Sequence, residues 1–226
     1  MSSVYNKVID NTKGVQSLSS EKQTLPFDIE FARVSKSIGD IKLSDVNIVF
    51  KEGSKYAIIG KNGSGKSTLL DMIMRRKDTD SGEILFSGRA YDEKIAKNNI
   101  FYIRQKNHYF SNTLMENISV LGSYKVKDVE FIRKENLEKM FSCGNNANNL
   151  SGGEKQIMSM YQAINSNKSV ILLDEPFSAL TEELEFFYTR SLLKLNGTVV
   201  LVTHNNDKKY LELFDEVINV DYFLAK

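Results

Sequence analysis

The sequence predicts an α/β fold whose core is a mostly parallel sheet. Val170-Ile171-Leu172-Leu173 and Thr198-Val199-Val200-Leu201-Val202 are near-continuous apolar runs, the composition of strands covered by helices on both faces. A helical stretch over 182–195 separates them, and strand, helix and strand in that order imply an α/β core. A glycine-rich loop, Gly60-Lys61-Asn62-Gly63-Ser64-Gly65-Lys66-Ser67 with Thr68 following, joins the apolar run 56–59 to a helical pattern at Leu69, Leu70, Met72 and Ile73.

The remaining elements follow along the chain. Residues 1–26 are polar, with Ser17, Ser19, Ser20, Glu21 and Lys22 in the middle and Pro26 at the end. That composition suits a disordered leader; Val4, Tyr5, Val8 and Ile9 would make one or two turns of amphipathic helix at most. Phe27-Asp28-Ile29-Glu30-Phe31 alternates apolar with charged, a half-buried strand. Val46 to Phe50 is a second strand, closed by a turn at Glu52-Gly53. The helix after the glycine loop should end near Arg75 or Arg76, followed by a turn at Asp80-Ser81-Gly82 and strands at 83–86 and 100–103. Residues 106–150 alternate polar loops with helical spacing at Val129, Ile132, Leu137, Met140 and Phe141. They read as a small inserted helical lobe. A further helix from Ser151 to about Ser166 extends it to a subdomain of about 106–166, with Ile157, Met158, Met160, Tyr161 and Ile164 as core positions. The last strand is expected over 216–220.

Totals narrow the function classes. The chain has 226 residues and is 41% hydrophobic, enough for one large domain. Its net charge of +1 gives no bulk electrostatic case for nucleic acid. Cys143 is the only cysteine, so no intramolecular disulfide forms and a cytosolic setting fits. No apolar run is long enough to span a bilayer, and no signal peptide is read.

The glycine loop fits the phosphate-binding pattern G-x-x-x-x-G-K-[ST]. Gly60, Gly63 and Gly65 lack a Cβ, so the backbone can curl and turn its N–H groups onto phosphate oxygens. Lys66 sets a positive charge on the outer phosphates, Ser67 is placed to ligand Mg²⁺, and the dipole of the following helix favours the anion. A plain glycine turn would not need strand, loop and helix in this order. An open parallel sheet binds ligands at the carboxyl ends of its strands, and four such ends carry polar groups: Gly60, Gln105, Asp174-Glu175 and His204. If those strands are neighbours, the four converge. Asp174 would then hold Mg²⁺, and Glu175 would polarise the attacking water. His204 would contact the γ-phosphate or orient the water. Leu150-Ser151-Gly152-Gly153-Glu154 at a helix start is either a second anion site or an ordinary cap by Ser151.

The loop at 60–67, Gln105, the stretch 150–154, the strand into Asp174-Glu175, Ser178-Ala179-Leu180 and His204 stand in the order of an ATP-binding cassette ATPase. They resemble its Walker A, Q-loop, signature, Walker B, D-loop and H-loop, and the resemblance covers about residues 27–222. It implies a P-loop NTPase with an N-terminal antiparallel β subdomain and a small helical subdomain. It also implies binding and hydrolysis of ATP with Mg²⁺, and head-to-tail pairing with a second nucleotide-binding domain. Each ATP would lie between one phosphate loop, Gly60 to Thr68, and the partner's Ser151, Gly152, Gly153 and Glu154. Glu175 is implied as catalytic base and His204 as the γ-phosphate switch. Ser67, Gln105 and Asp174 are implied at the metal. Residues near Gln105 and the helical subdomain would face a transmembrane domain, at the cytoplasmic face of a membrane.

The pattern also departs from that family. Ile38 stands where an aromatic residue usually stacks on adenine, which predicts weak discrimination between ATP and GTP. Thr181 replaces the usual D-loop aspartate, and residues 143–149 lack the acidic residue exporters often carry before the signature. Within the family, the leader (1–26, read as a linker after a transmembrane domain) and Thr113 to Ile118 resemble exporters. The chromosome-maintenance branch needs a long coiled coil between the Walker motifs, and only a short lobe lies there. The translation-factor branch usually carries two cassettes and a basic linker. A separate importer subunit would begin closer to its first strand. Lys66, Asp174, Glu175 and His204 are all present, against a catalytically dead cassette.

Overall fold

A computed structural model describes residues 28–105, 114–118 and 149–225. Two compact units divide them: one holds 28–105 and 168–225, the other 114–118 and 149–167. The expected leader at 1–26, the helical spacing at 129–141 and the segment at 143–148 lie outside the described residues.

The larger unit contains two sheets. Strands β1 (Ile29–Ile38), β2 (Ile41–Phe50) and β4 (Ser81–Phe86) form an antiparallel sheet in the order β2-β1-β4. β3 (Lys55–Ile59), β5 (Ile100–Ile103), β6 (Val170–Asp174), β7 (Thr198–Val202) and β8 (Glu216–Asn219) form a five-stranded sheet in the order β5-β6-β7-β3-β8. Every pairing in it is parallel. The central strands β6 and β7 are buried at every position, as their unbroken apolar runs require.

β1 and β2 are longer than the alternation suggests. Arg33 and Asp45 both take positive φ, and the β1–β2 register shifts between Phe31 and Val34 and again before Lys36. Such bulges break the period of two and bend the strand. Asn47 Oδ1 accepts from the Arg33 amide at 3.0 Å and steadies the bend. Beyond it the hairpin runs on to pair Ile38 with Ile41.

Helix α1 (Lys66–Ile73) buries Leu69, Leu70, Met72 and Ile73 in one apolar cluster with Phe31, Phe50, Tyr56, Leu172, Val200 and Ile218. Phe50 meets Phe31 and Tyr56 edge to face. A short α2 (Glu93–Asn99), capped by Asp92, precedes β5; its only buried residue is Ala96, so its sequence carries no apolar stripe. Helix α5 (Glu182–Leu193) connects β6 to β7, and α6 (Lys208–Leu211) lies between β7 and β8. A 3₁₀ turn (Val220–Phe223) follows β8 in place of the strand's expected last residue.

In the smaller unit are α3 (Leu114–Ile118) and α4 (Gly152–Asn165). Ile157, Met158, Met160, Tyr161 and Ile164 are buried, as their helical spacing predicts. Gln162 Nε2 donates to the Asn117 carbonyl at 2.7 Å, tying the two helices.

Candidate functional site

β5, β6, β7 and β3 are consecutive neighbours in the parallel sheet. The four polar strand ends therefore do converge, at the edge where an open α/β sheet presents its ligand site. A cleft of about 320 Å³ opens there, lined by Ile38, Asn62, Gly63, Gly65, Lys66, Ser67, Thr68, Gln105, Glu175 and His204.

The glycine loop leaves β3 and turns into α1 through Gly65, whose φ is 101°. A Cβ at Gly65 would lie 2.8 Å from Ile38 Cδ1 and 3.1 Å from Leu43 Cδ1. Glycine is thus required by conformation and by space, because the tip of the β1–β2 hairpin rests on the loop. Ile38 accordingly lines the cleft. Lys66 is buried and donates to the carbonyls of Gly60 and Lys61 at 2.8 and 2.9 Å. Burial pushes its amine down from the ordinary lysine value, while Glu175, Asp221 and Asp174 oppose the shift. Ser64 Oγ is buried with no hydrogen-bond partner. Thr68 Oγ1 accepts from Lys77 Nζ at 3.2 Å. Gly60, Lys61 and Ser64 form the rear of the loop and do not line the cleft.

Asp174 ends β6. It is buried, Ser67 hydrogen-bonds its carboxylate, and Oδ1 has no partner. Burial pushes this carboxyl up; the Ser67 bond opposes the rise, the charges of Glu175 and Asp71 add to it, and Lys66 opposes it. A buried carboxylate bonded to the hydroxyl of Ser67, which lines the cleft, suits Mg²⁺. That ion takes one or two carboxylates and completes its shell with water and phosphate oxygens. Among the described residues no group of three or more His, Cys, Asp or Glu could hold a metal by itself.

Glu175 stands at φ 49°, a left-handed conformation costing about 1–3 kcal/mol in a residue with a Cβ. The turn is held by its amide, which donates to the Val202 carbonyl at 3.2 Å. It carries the carboxylate between two donors. Gln105 Nε2 donates to Oε2 at 2.7 Å, and His204 Nε2 lies 2.6 Å from Oε1. Three residues far apart in sequence thus meet on one carboxylate.

Ser151, Gly152, Gly153 and Glu154 belong to the smaller unit. Ser151 caps α4 in a reciprocal box: its Oγ accepts from the Glu154 amide at 3.3 Å, and its own amide donates to Glu154 Oε2 at 2.8 Å. Thr181 is the residue before α5 and makes no side-chain cap bond.

Two residues outside the cleft, each bonded to a segment that forms it, escape sequence reading. Asp221, in the 3₁₀ turn, accepts from the Lys61 amide at 3.0 Å and braces the rear of the loop. Glu185, on α5, hydrogen-bonds both neighbours of His204. Neither lies in a motif, and no spacing signals either.

The family model described as ABC transporter matches residues 43–178. The glutathione/L-cysteine transport system ATP-binding/permease protein CydC of Haemophilus influenzae is 32% identical, over 79% of this chain and 34% of that protein. An ATP-dependent lipid A-core flippase of Vibrio vulnificus is 30% identical, over 90% of this chain and 39% of that protein. The glycine betaine uptake system ATP-binding protein YehX of Escherichia coli is 34% identical, over 86% of this chain and 68% of that protein. The structure of a bacterial Atm1-family ABC exporter with ATP bound shares the fold, with a TM-score of 0.71 and 21% identity over 89% of this chain and 39% of that one. The chain spans about a third of the length of relatives such as CydC and the Haemophilus flippase.

Proposed function

This chain belongs to the ABC transporter family, and from that premise we propose that its ATPase domain hydrolyses MgATP as a head-to-tail dimer and so powers export across a membrane. The observation that carries the hydrolytic reading is the carboxylate of Glu175, held between Gln105 and His204 in the same cleft as Lys66 and Ser67.

The loop amides and Lys66 would bind the phosphates. Ser67 and Asp174 would hold Mg²⁺, with Gln105 near it; the ion supplies charge neutralisation on the β- and γ-phosphates. Each Glu175 oxygen keeps a second lone pair beside the bond it already accepts. One of these would take the proton of the attacking water, while His204 and Gln105 hold the carboxylate in place. Ser151, Gly152, Gly153 and Glu154 would complete the site of the paired nucleotide-binding domain, a second copy or a different cassette, and Ile38 would meet the base. The exporter reading draws on the ATP-binding/permease relatives. It places the domain at the cytoplasmic face, joined to a transmembrane domain, with the helical subdomain facing that domain. Among the described residues no helix is long and apolar enough to cross a membrane.

Glu175→Gln tests the reading. With MgATP the variant is expected to run as a dimer on gel filtration and to retain bound ATP. A monomer that turns over ATP at the parent's rate would falsify the role of Glu175.

A second reading, an ATPase subunit of an uptake system, is favoured by one observation: the identity to YehX extends over 68% of that protein's length. Immunoblots of fractionated source cells separate the two. A membrane band much larger than 25.7 kDa supports the exporter; a 25.7 kDa band released from membranes by alkaline washing supports the subunit.

A further inference from the structure

We infer that Glu185 is a positioning residue for His204: it holds the side chains of Thr203 and Asn205 on both sides of the histidine and so sets the imidazole against Glu175. The inference rests on the hydrolytic reading above.

His204 sits just past the end of β7. The last link to the sheet is the Thr203 amide, which donates to the Ile58 carbonyl at 3.1 Å. The imidazole itself is 47% exposed, so packing does not lock its rotamer. A second cavity, lined by Glu175, Ser178, Glu185, Thr203, His204 and Asn205 among others, leaves open space along the same loop. Where packing does not hold a side chain, its supporting hydrogen bonds must.

Those bonds meet at one carboxylate. Thr203 Oγ1 donates to Glu185 Oε1 at 3.4 Å, and Asn205 Nδ2 donates to Glu185 Oε2 at 3.3 Å. The Asn205 amide donates to Thr203 Oγ1 at 2.9 Å, closing a tight turn around His204. Asn205 Oδ1 accepts from the Asp207 amide at 3.0 Å, which fixes the orientation of the Asn205 side-chain amide. Glu185 thus serves at least the two donors that flank His204 and needs both acceptor oxygens. It lies on the first turn of α5, directly after Ser178 to Thr181, so that segment and the histidine loop share one support. Tyr210, bonded to Thr189 at 2.9 Å, joins the same network through Glu185 and Thr203.

Glutamine keeps the shape of Glu185 but offers one acceptor, and its NH₂ would face the Asn205 donor. The test uses the full chain, with Glu185→Ala and Glu185→Gln made in the parent and in His204→Ala. In the parent, Glu185→Ala should lower kcat by about 10- to 100-fold, leave KM for MgATP within about twofold, and be partly rescued by Gln. In the His204→Ala background it should cost nothing further. The chain has two histidines, His108 and His204, so the His204 ring resonance is assignable by difference. Glu185→Gln should shift it without lowering the melting temperature.

Equal losses in both backgrounds, an unchanged kcat in the parent, or an unmoved ring resonance would overturn the inference. Failure of the hydrolytic reading looks different: the parent is then inactive, or indifferent to Glu175→Gln. A parent sensitive to His204→Ala but not to Glu185→Ala sinks the positioning role alone.

Discussion

Between Asn62 and Thr68 the glycine loop lines the cleft from one stretch of chain, whereas Gln105, Glu175 and His204 come from the ends of three strands. The two halves of the cleft respond to different kinds of change. In the loop, geometry is local: a positive φ at Gly65 and a short turn lead directly into α1. In the cluster, geometry is borrowed. Glu175 faces its partners only because β6 lies between β5 and β7, and its own backbone is held in a strained conformation by Val202. Binding and hydrolysis should therefore separate by mutation, with loop changes altering affinity and cluster changes altering turnover.

The largest effect belongs to the cluster. Glu175→Gln should lower kcat by about 10²–10⁴-fold, the range of a general base, while ATP affinity measured by equilibrium binding is not weakened. A comparable loss of affinity would break the division. Next is Gly65→Ala. Its methyl meets Ile38 and Leu43, and its φ is left-handed, so the strain of about 1–3 kcal/mol should weaken ATP binding by roughly 5- to 100-fold. Turnover of the ATP that does bind should hold steady; a selective fall in turnover would show that loop and cluster are not independent.

Asp221→Ala sharpens the comparison, because it tests whether the loop is as self-contained as it looks. The brace on Lys61 comes from 160 positions away. Removing it leaves the exposed amide to water, at about 0.5–1.5 kcal/mol. That should appear as a lower melting temperature and ATP affinity weakened several-fold, with Asn restoring most of both. No change would return the loop to a purely local account. The smallest effect is at the hairpin tip. Ile38→Tyr should raise the preference for ATP over GTP in competition binding by roughly two- to tenfold, the scale of an aromatic pair of about 0.5–1.5 kcal/mol. A parent that already prefers ATP strongly would show that another residue reads the base.

Legibility follows the same line. The buried strands β6 and β7 stood out because both faces are apolar, and α4 because its cap, Ser151, and its stripe coincide. The far half of β1 was not readable. Its bulges at Arg33 and before Lys36 put side chains out of alternation, although this half carries Ile38 to the loop. Helix α2 has one buried residue and no stripe to read. Asp221 and Glu185 carry no signal because each acts on a distant segment that sequence spacing does not relate to it.

By itself the sequence determined the phosphate loop, the buried strands and the identity of each polar strand end. These depend on short-range causes: whether a residue has a Cβ, which φ it tolerates, and whether an apolar run is unbroken. Only the tertiary structure decided that β5, β6, β7 and β3 lie side by side. That order placed Gln105 and His204 on one carboxylate and set Ile38 against Gly65. Strand order is settled by long-range pairing and by the packing of helices over the sheet, and no residue spacing along a chain encodes it.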